Sequence, residues 1–401
     1  MNVIFLTITR FNNLEGGGIY VDLMRKFKTE GNNVYVIYPN ERRYNMGTSF
    51  QEIEGINFLG VRTLNLQKTN VIEKGLGTVS IENLYSKAIN KYLHGVKFDL
   101  ILYSTPPITF PNLIRRLKRY NNQSVTYLLL KDIFPQNAVD LKMLRKGGVL
   151  YKYFRRKEMN LYKSSDYIGC MSPANVEYFI RHNSFYPSSH VEVAPNSIEL
   201  QKDEMVVEKI AVRKRYNLPI DKVIFVYGGN LGKPQGIDFL IECLDANSKR
   251  NDCHFVIVGD GTEYHKLHDW FDSVKPDNVS LMKVLSKQDY DTLVRSCDAG
   301  LIFLDYRFTI PNYPSRLLSY LEYKIPIIAA TDVNTDIGLI AEQNKYGYWC
   351  PSNDVSAFTN CVNKYLFDKE SINTMGNNGY RYLLNNYLTE NTYNTIISHL
   401  C

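Results

Sequence analysis

The sequence predicts an α/β protein of two domains, each a parallel sheet covered on both faces by helices. Three observations lead there. Short apolar runs alternate with amphipathic stretches from end to end, the pattern of strands buried on both faces. Glycine turns stand where three of those runs give way to helices. And 401 residues exceed what one hydrophobic core ordinarily supports.

Taken in order, Val3–Ile8 reads as a buried strand, and the loop Asn12–Gly18 leads into a helix over about Ile19–Glu30 that Gly31 stops. Val34–Tyr38 is the next strand, and the polar stretch Pro39–Gly55 reads as a long loop. Asp99–Tyr103 and Val125–Leu130 are further strands, with a helix over Phe110–Tyr120 between them. Tyr167–Met171, a helix to about Arg181 and Val191–Ala194 complete this half. Pro195-Asn196 is a turn signal, and Gln201–Val212 is charged and loosely patterned. The alternation then restarts with strands Val223–Tyr227, His254–Val258, Val279–Met282, Ala299–Phe303 and Ile325–Ala329, and Ile372–Leu400 reads as helical. The expected organisation is a first domain over 1–195, a linker over 196–221, a second domain over 222–380, and a C-terminal helix over 381–401 that packs back on the first domain. Two such domains joined once imply a cleft between the carboxyl ends of two sheets.

Composition narrows the class. Hydrophobic content of 44% and charged content of 22% are those of a folded globular chain. No apolar run approaches the roughly 20 residues that span a bilayer. The start, MNVIFLTITRFNN, has no basic region ahead of its apolar stretch and no small-residue cleavage site, so it reads as a first strand and not as a signal peptide. Seven scattered cysteines with no CxxC fit reduced cytoplasmic thiols and no zinc site. The net charge of +6 is uneven: residues 1–195 hold 26 Lys and Arg against 15 Asp and Glu, while the remainder holds 21 against 26. The basic half is therefore expected to meet something anionic.

Several motifs could carry chemistry. GGNLGKPQG, residues 228–236, follows the first strand of the second half. Its glycines would let backbone N–H groups approach a phosphate, Lys233 adds a cation, and Asn230 and Gln235 add amide donors. Gly259-Asp260-Gly261 and Gly16–Gly18 are weaker turns of the same kind. In IPNYPSRLLSYLEYKIPIIA, from Ile310, Ser315 is placed to cap a short helix with its hydroxyl. Leu317, Leu318 and Leu321 make that helix's apolar stripe, and Arg316 in its first turn suits an anion. Asp132, at the carboxyl end of the strand VTYLLL, could take a proton or fix a hydroxyl, or could simply belong to a turn before Pro135. Asp289-Tyr290-Asp291 spells a metal-binding D-x-D, but Ser286 three residues earlier makes Asp289 the acidic member of a capping box. From Val149 to Lys163 the pattern is an amphipathic helix with Leu150, Tyr153, Phe154, Leu161 and Tyr162 on one face and Lys152, Arg155, Arg156 and Lys163 on another. That basic face is either solvated or a peripheral contact with an anionic membrane. No nucleic-acid-binding module is recognisable.

The order of these motifs (glycine loop, PNS at 195–197, GGNLGKPQG, VGDG, PSRLLSYLEYKIPII) resembles that of the retaining GT-B glycosyltransferases of family 4, over nearly the whole chain. KDIFP and GNLGKPQG are most similar to the bacterial subgroup of WbuB-type N-acetyl-L-fucosamine transferases, and to capsular polysaccharide enzymes of the CapL type. The resemblance implies two Rossmann-like domains facing each other across a cleft. It implies a UDP-sugar donor on the second domain, with Gly229, Asn230, Lys233, Gln235 and Gly259 near the diphosphate and Ser315, Arg316 and Leu317 facing sugar and phosphate. The family's Arg and Lys in the glycine turn fall on Asn230 and Gln235, which leaves Lys233 and Arg316 as cations. The family's ribose-binding Glu falls on Ser319, with Glu322 one turn on as a substitute. Gly17 and Gly18 would line the acceptor side and Asp132 would lie near the reacting centre. The implied acceptor is a polyprenyl-diphosphate-linked sugar, undecaprenyl diphosphate carrying it, at the inner face of the cell membrane. Lys152, Arg155 and Arg156 would touch that membrane, and neither a cofactor nor a metal would be needed. A UDP-sugar 2-epimerase of the same fold and a non-catalytic sugar-nucleotide-binding subunit are the rival expectations.

Overall fold

Runs of β-branched and aromatic residues form two sheets, one in each of two compact units of a computed structural model that describes residues 1–11, 17–66, 69–200 and 208–400. Unit 1 comprises Met1–Glu199 with Thr389–Cys401, and unit 2 comprises Leu200–Leu388.

The sheet of unit 1 contains β1 (Asn2–Leu6), β2 (Asn33–Glu41), β3 (Ser49–Ile53), β4 (Ile56–Thr63), β5 (Leu100–Ser104), β6 (Val125–Leu130), β7 (Tyr167–Cys170) and β8 (Val191–Val193). Its order is β3-β4-β2-β1-β5-β6-β7-β8, parallel throughout except for β3 against β4. Val3, Phe5, Val34, Val36, Leu100, Leu102 and Leu129 fill one face of it with the helix Ile19–Thr29. The sheet of unit 2 contains β9 (Val223–Asn230), β10 (Cys253–Asp260), β11 (Val279–Met282), β12 (Ala299–Phe303), β13 (Ile327–Thr331) and β14 (Gly347–Pro351), all parallel, in the order β11-β10-β9-β12-β13-β14. In each sheet the first strand is flanked by strands reached in opposite directions. β1 and β9 therefore mark the topological switch points, where parallel α/β sheets open a crevice at their carboxyl ends.

Several expectations need correction. Pro39–Gly55 is not a long loop: β2 runs on to Glu41, and β3 and β4 form a hairpin closed by Glu54 and Gly55, both at positive φ. A 22-residue helix, Val71–Tyr92, fills a stretch in which the sequence showed no element. β14 adds a sixth strand to the second sheet. The expected linker divides: residues 201–207 lie outside the described residues. Lys209–Arg215 is a helix of unit 2, with Arg213 donating to the Ser296 carbonyl at 2.9 Å and to Asp298 at 2.7 Å. The C-terminal stretch is two helices. Ser371–Asn386 belongs to unit 2, and the chain returns only at Thr389, whose N–H donates to the Ile198 carbonyl. The last helix, Thr389–Ile397, packs on Ile19–Thr29 through Tyr393 against Phe27, with Lys26 paired to Glu390. The six described cysteines are buried free thiols. No helix among the described residues is long and apolar enough to cross a membrane.

Candidate active site

In unit 2 the carboxyl ends of β9 and β10 meet the start of the helix Arg316–Glu322. Gly229 takes φ +122, open to glycine alone, and pairs in register with Gly259. A Cβ on Gly259 would lie 2.0 Å from the Gly229 carbonyl oxygen, so Gly259 is needed for the two turns to touch. Asn230 and Gln235 do not both offer free amides. Asn230 Nδ2 donates to Gln235 Oε1 at 2.8 Å, and the same oxygen accepts the Gly232 N–H at 3.2 Å. They brace the turn from within. Lys233 sits on its exposed side, with no ion-pair partner among the described residues.

Arg316 is the cation this turn holds. Its guanidinium lies 4.3 Å over the Tyr227 ring, and its Nη2 is 3.4 Å from where a Gly229 Cβ would be. Its Nη1 is buried with no hydrogen-bond partner, although a buried donor ordinarily has one. Five donors in a fixed fork, one end unsatisfied, beside a glycine turn make an arrangement suited to a diphosphate.

The other residues expected here divide. Ser315 is exposed, takes helical dihedrals in place of the extended ones a cap requires, and makes no capping bond through its hydroxyl. Leu317 is fully buried and belongs to the core, while Ser319 is half-buried one turn into the helix. Glu322 closes the helix about 9 Å along its axis from Arg316, at the end away from the glycine turn. Asp289 is a capping residue as read: its N–H donates to Ser286 Oγ at 3.1 Å and its carboxylate pairs with Arg215. Among the described residues no group of three metal-ligating side chains converges.

In unit 1, Gly17, Gly18 and Asp132 lie at the carboxyl edge of the sheet. The Gly18 N–H is already taken by Asp22 Oδ1 at 3.1 Å, and Asp22 Oδ2 accepts from the Glu199 N–H, so this turn is tied to the end of the domain. Gly16 lies outside the described residues. Thr105 Oγ1 accepts the N–H groups of both Lys131 and Asp132. Asn137 Nδ2 donates to Asp132 Oδ1 at 2.7 Å, and burial raises the Asp132 carboxyl, which favours proton uptake. Lys131, which the sequence reading passed over, donates through Nζ to the Ala194 carbonyl at 2.9 Å, and burial pushes its amine down to about 7.

The helix Val149–Tyr162 turns differently from its expected phase. Arg155 faces inward: it donates to buried Glu158 at 2.5 Å, to Asn183 Oδ1 at 2.6 Å and to the His182 carbonyl. It is a structural residue, not a membrane contact. Leu150 and Tyr153, expected inside, are 62% and 41% exposed, beside Val149 at 85%. They share the outer face with Lys152, Arg156 and Lys163. Phe134 packs edge-on against Phe154, which ties the loop carrying Asp132 to this helix.

Residues 208–382 match the family described as "Glycosyl transferases group 1". The protein is a glycosyltransferase, and the matching stretch lies within its second unit. It is 24% identical over 306 residues to "Probable glycosyltransferase WbjE" of Pseudomonas aeruginosa, covering 74% of this chain and 73% of that protein. A stretch of 83 residues is 32% identical to "O-antigen biosynthesis glycosyltransferase WclY" of Escherichia coli, covering 21% and 22%. Among solved structures, sucrose-phosphate synthase from Thermosynechococcus elongatus superposes with a TM-score of 0.77 at 14% identity, over 98% of this chain and 97% of that one. Anabaena HepE in complex with UDP does so with 0.69 at 14% identity, over 100% and 99%. The fold of the glycosyltransferase is thus GT-B.

Proposed function

We propose that this glycosyltransferase moves a sugar, N-acetylfucosamine, from UDP to a polyprenyl-diphosphate-linked sugar in the synthesis of a bacterial surface polysaccharide, with retention of anomeric configuration. The observation that carries the donor assignment is the half-buried Arg316 guanidinium beside the glycine turn, its Nη1 buried and unpartnered. It would neutralise charge on the departing UDP, aided by Lys233 at the exposed side. Stabilising that leaving group and holding the acceptor hydroxyl close are what such a substitution needs. In the same-face account the leaving phosphate accepts the acceptor's proton, and Asp132 orients the acceptor hydroxyl. WclY is named for O-antigen biosynthesis, which supports a surface glycan as product.

The acceptor side is read from the outer face of Val149–Tyr162. Lys152, Arg156 and Lys163 with exposed Val149, Leu150 and Tyr153 combine positive charge with apolar surface, the pairing that suits peripheral contact with anionic lipid. The helix's single carboxylate, Glu158, is turned inside. The test is a panel of UDP-sugars incubated with the protein and a lipid-diphosphate-linked sugar, reading UDP release. UDP-N-acetylfucosamine should give the highest acceptor-dependent rate. A higher rate with another UDP-sugar would reassign the sugar, and no release with any would sink the donor class.

A further inference from the structure

We infer that Tyr227, supported by Tyr290 and Tyr320, is the positioning residue that makes Arg316 a fixed anion-binding cation; this rests on the donor reading above. Arg316 is half-buried and has no carboxylate partner among the described residues, yet its Nη1 is withdrawn from solvent. Burying a cation without a counter-charge is unfavourable, so something must hold it there. The Tyr227 ring does so face-on, at 4.3 Å. The choice of ring over carboxylate has a chemical consequence. A carboxylate would orient the guanidinium but cancel its charge and repel an incoming diphosphate. A ring face orients it and leaves the full charge for the ligand.

The same tyrosine also sets the turn. Its hydroxyl donates to the Asn230 carbonyl at 2.7 Å, so one side chain fixes both the cation and the loop that the diphosphate would approach. The other two tyrosines support from below. A Cβ on Gly228 would lie 1.8 Å from the Tyr290 hydroxyl, so that ring fills the space under the turn. Tyr320, fully buried on the Arg316 helix, donates to the Val226 carbonyl at 3.1 Å and locks the helix to β9. Cation, ring and turn are therefore held as one unit before any ligand arrives, the condition under which binding loses least to ordering.

The experiment is calorimetric titration of the full chain with UDP. Tyr227→Phe keeps the ring and should stay within about threefold of the parent affinity. Tyr227→Leu removes the ring and should weaken UDP about tenfold. In an Arg316→Ala background the step from Phe to Leu at position 227, which removes the ring after the hydroxyl is already gone, should cost less than about twofold, because the ring's effect passes through the arginine. Equal losses for the Phe-to-Leu step in both backgrounds would overturn the inference and leave Tyr227 a packing residue. Unchanged UDP affinity in Arg316→Ala alone would instead overturn the donor reading. Should Tyr227→Leu not fold, a series of increasingly fluorinated phenylalanines at position 227 keeps the ring's size and drains its face of electron density. UDP affinity should fall stepwise along it, and a flat series would overturn the inference.

Discussion

Arg155→Ala should unfold unit 1 more readily at pH 7 while leaving flotation with anionic vesicles unchanged, and charge reversal at Lys152 and Arg156 should weaken flotation without moving the melting temperature. Glu158 is 3% exposed in its side chain and Arg155 24%, so removing the guanidinium strands a carboxylate inside the protein. Burial already raises the Glu158 carboxyl, so once stranded it would take up a proton. Protonating a group of ordinary pKa 4.5 at pH 7 requires about 3.4 kcal/mol, which sets the scale of the destabilisation. The Tyr162 hydroxyl, 2.6 Å from Glu158 Oε1, remains to satisfy the protonated acid. For a unit of this size, that energy lowers the melting temperature by roughly 7–14 °C. The sign with pH follows. At pH 5 the same protonation requires only about 0.7 kcal/mol, so the deficit should nearly vanish. Scanning calorimetry at pH 7 and pH 5 measures this, and flotation with anionic vesicles measures attachment. If Arg155→Ala melts like the parent at pH 7 but no longer floats, the inward assignment is wrong and Arg155 is a membrane residue after all.

Arg316→Ala should raise the dissociation constant for UDP by about 10- to 100-fold, as loss of a charge-assisted contact requires, and Lys233→Ala by about tenfold or less because Lys233 is exposed; calorimetry decides both. Asp132→Asn should lower turnover in the UDP-release assay without moving the melting temperature, and a rate equal to the parent's would reduce Asp132 to a turn residue. Lys131 predicts a pH effect. Its amine titrates near 7 in the folded protein against an ordinary 10.5, so between those values the unfolded chain holds the extra proton and stability rises with pH. Lys131→Met should therefore be more stable than the parent at pH 6, and the gap should shrink by about 1.4 kcal/mol per unit above pH 7. Urea unfolding at pH 6, 7.5 and 9 would show this, and a gap that does not change would refute it.

Where the sequence was legible, one physical rule decided the outcome. The strands Val125–Leu130 and Ala299–Phe303 are apolar on both faces, which only a covered parallel sheet allows, and both boundaries fell as read. GGNLGKPQG stood out because Lys233 adds a cation, and Asn230 and Gln235 add amides, to a glycine turn after a buried strand. Where two rules competed, the sequence could not rank them. Gly75 and Gly77 argue against a helix, yet Val71–Tyr92 forms one whose Tyr85 and Ile81 are buried. Glu54-Gly55 is a hairpin turn only once β4 has a strand to pair with, and β2 supplies it from 22 residues away.

The basic helix shows the difficulty most clearly. Periodicity fixes which residues share a face, but the face that turns inward depends on what waits there. Counting apolar side chains alone placed Leu150 and Tyr153 inside and every arginine outside. The structure buries Glu158, and a buried carboxylate needs a cation, so Arg155 follows it inward and its own bonds to Asn183 and the His182 carbonyl hold it there. Rotating the helix to satisfy that pair brings Val149, Leu150 and Tyr153 out among the lysines. A single inward ion pair thus exchanges a purely basic outer face for one that is basic and apolar together. A purely basic face would hold to anionic lipid by charge alone and be released by salt. The face the fold presents has apolar area that salt does not screen, so attachment to anionic vesicles should weaken but persist at about 0.5 M salt, and should be lost there when Val149 and Leu150 are both changed to Ser.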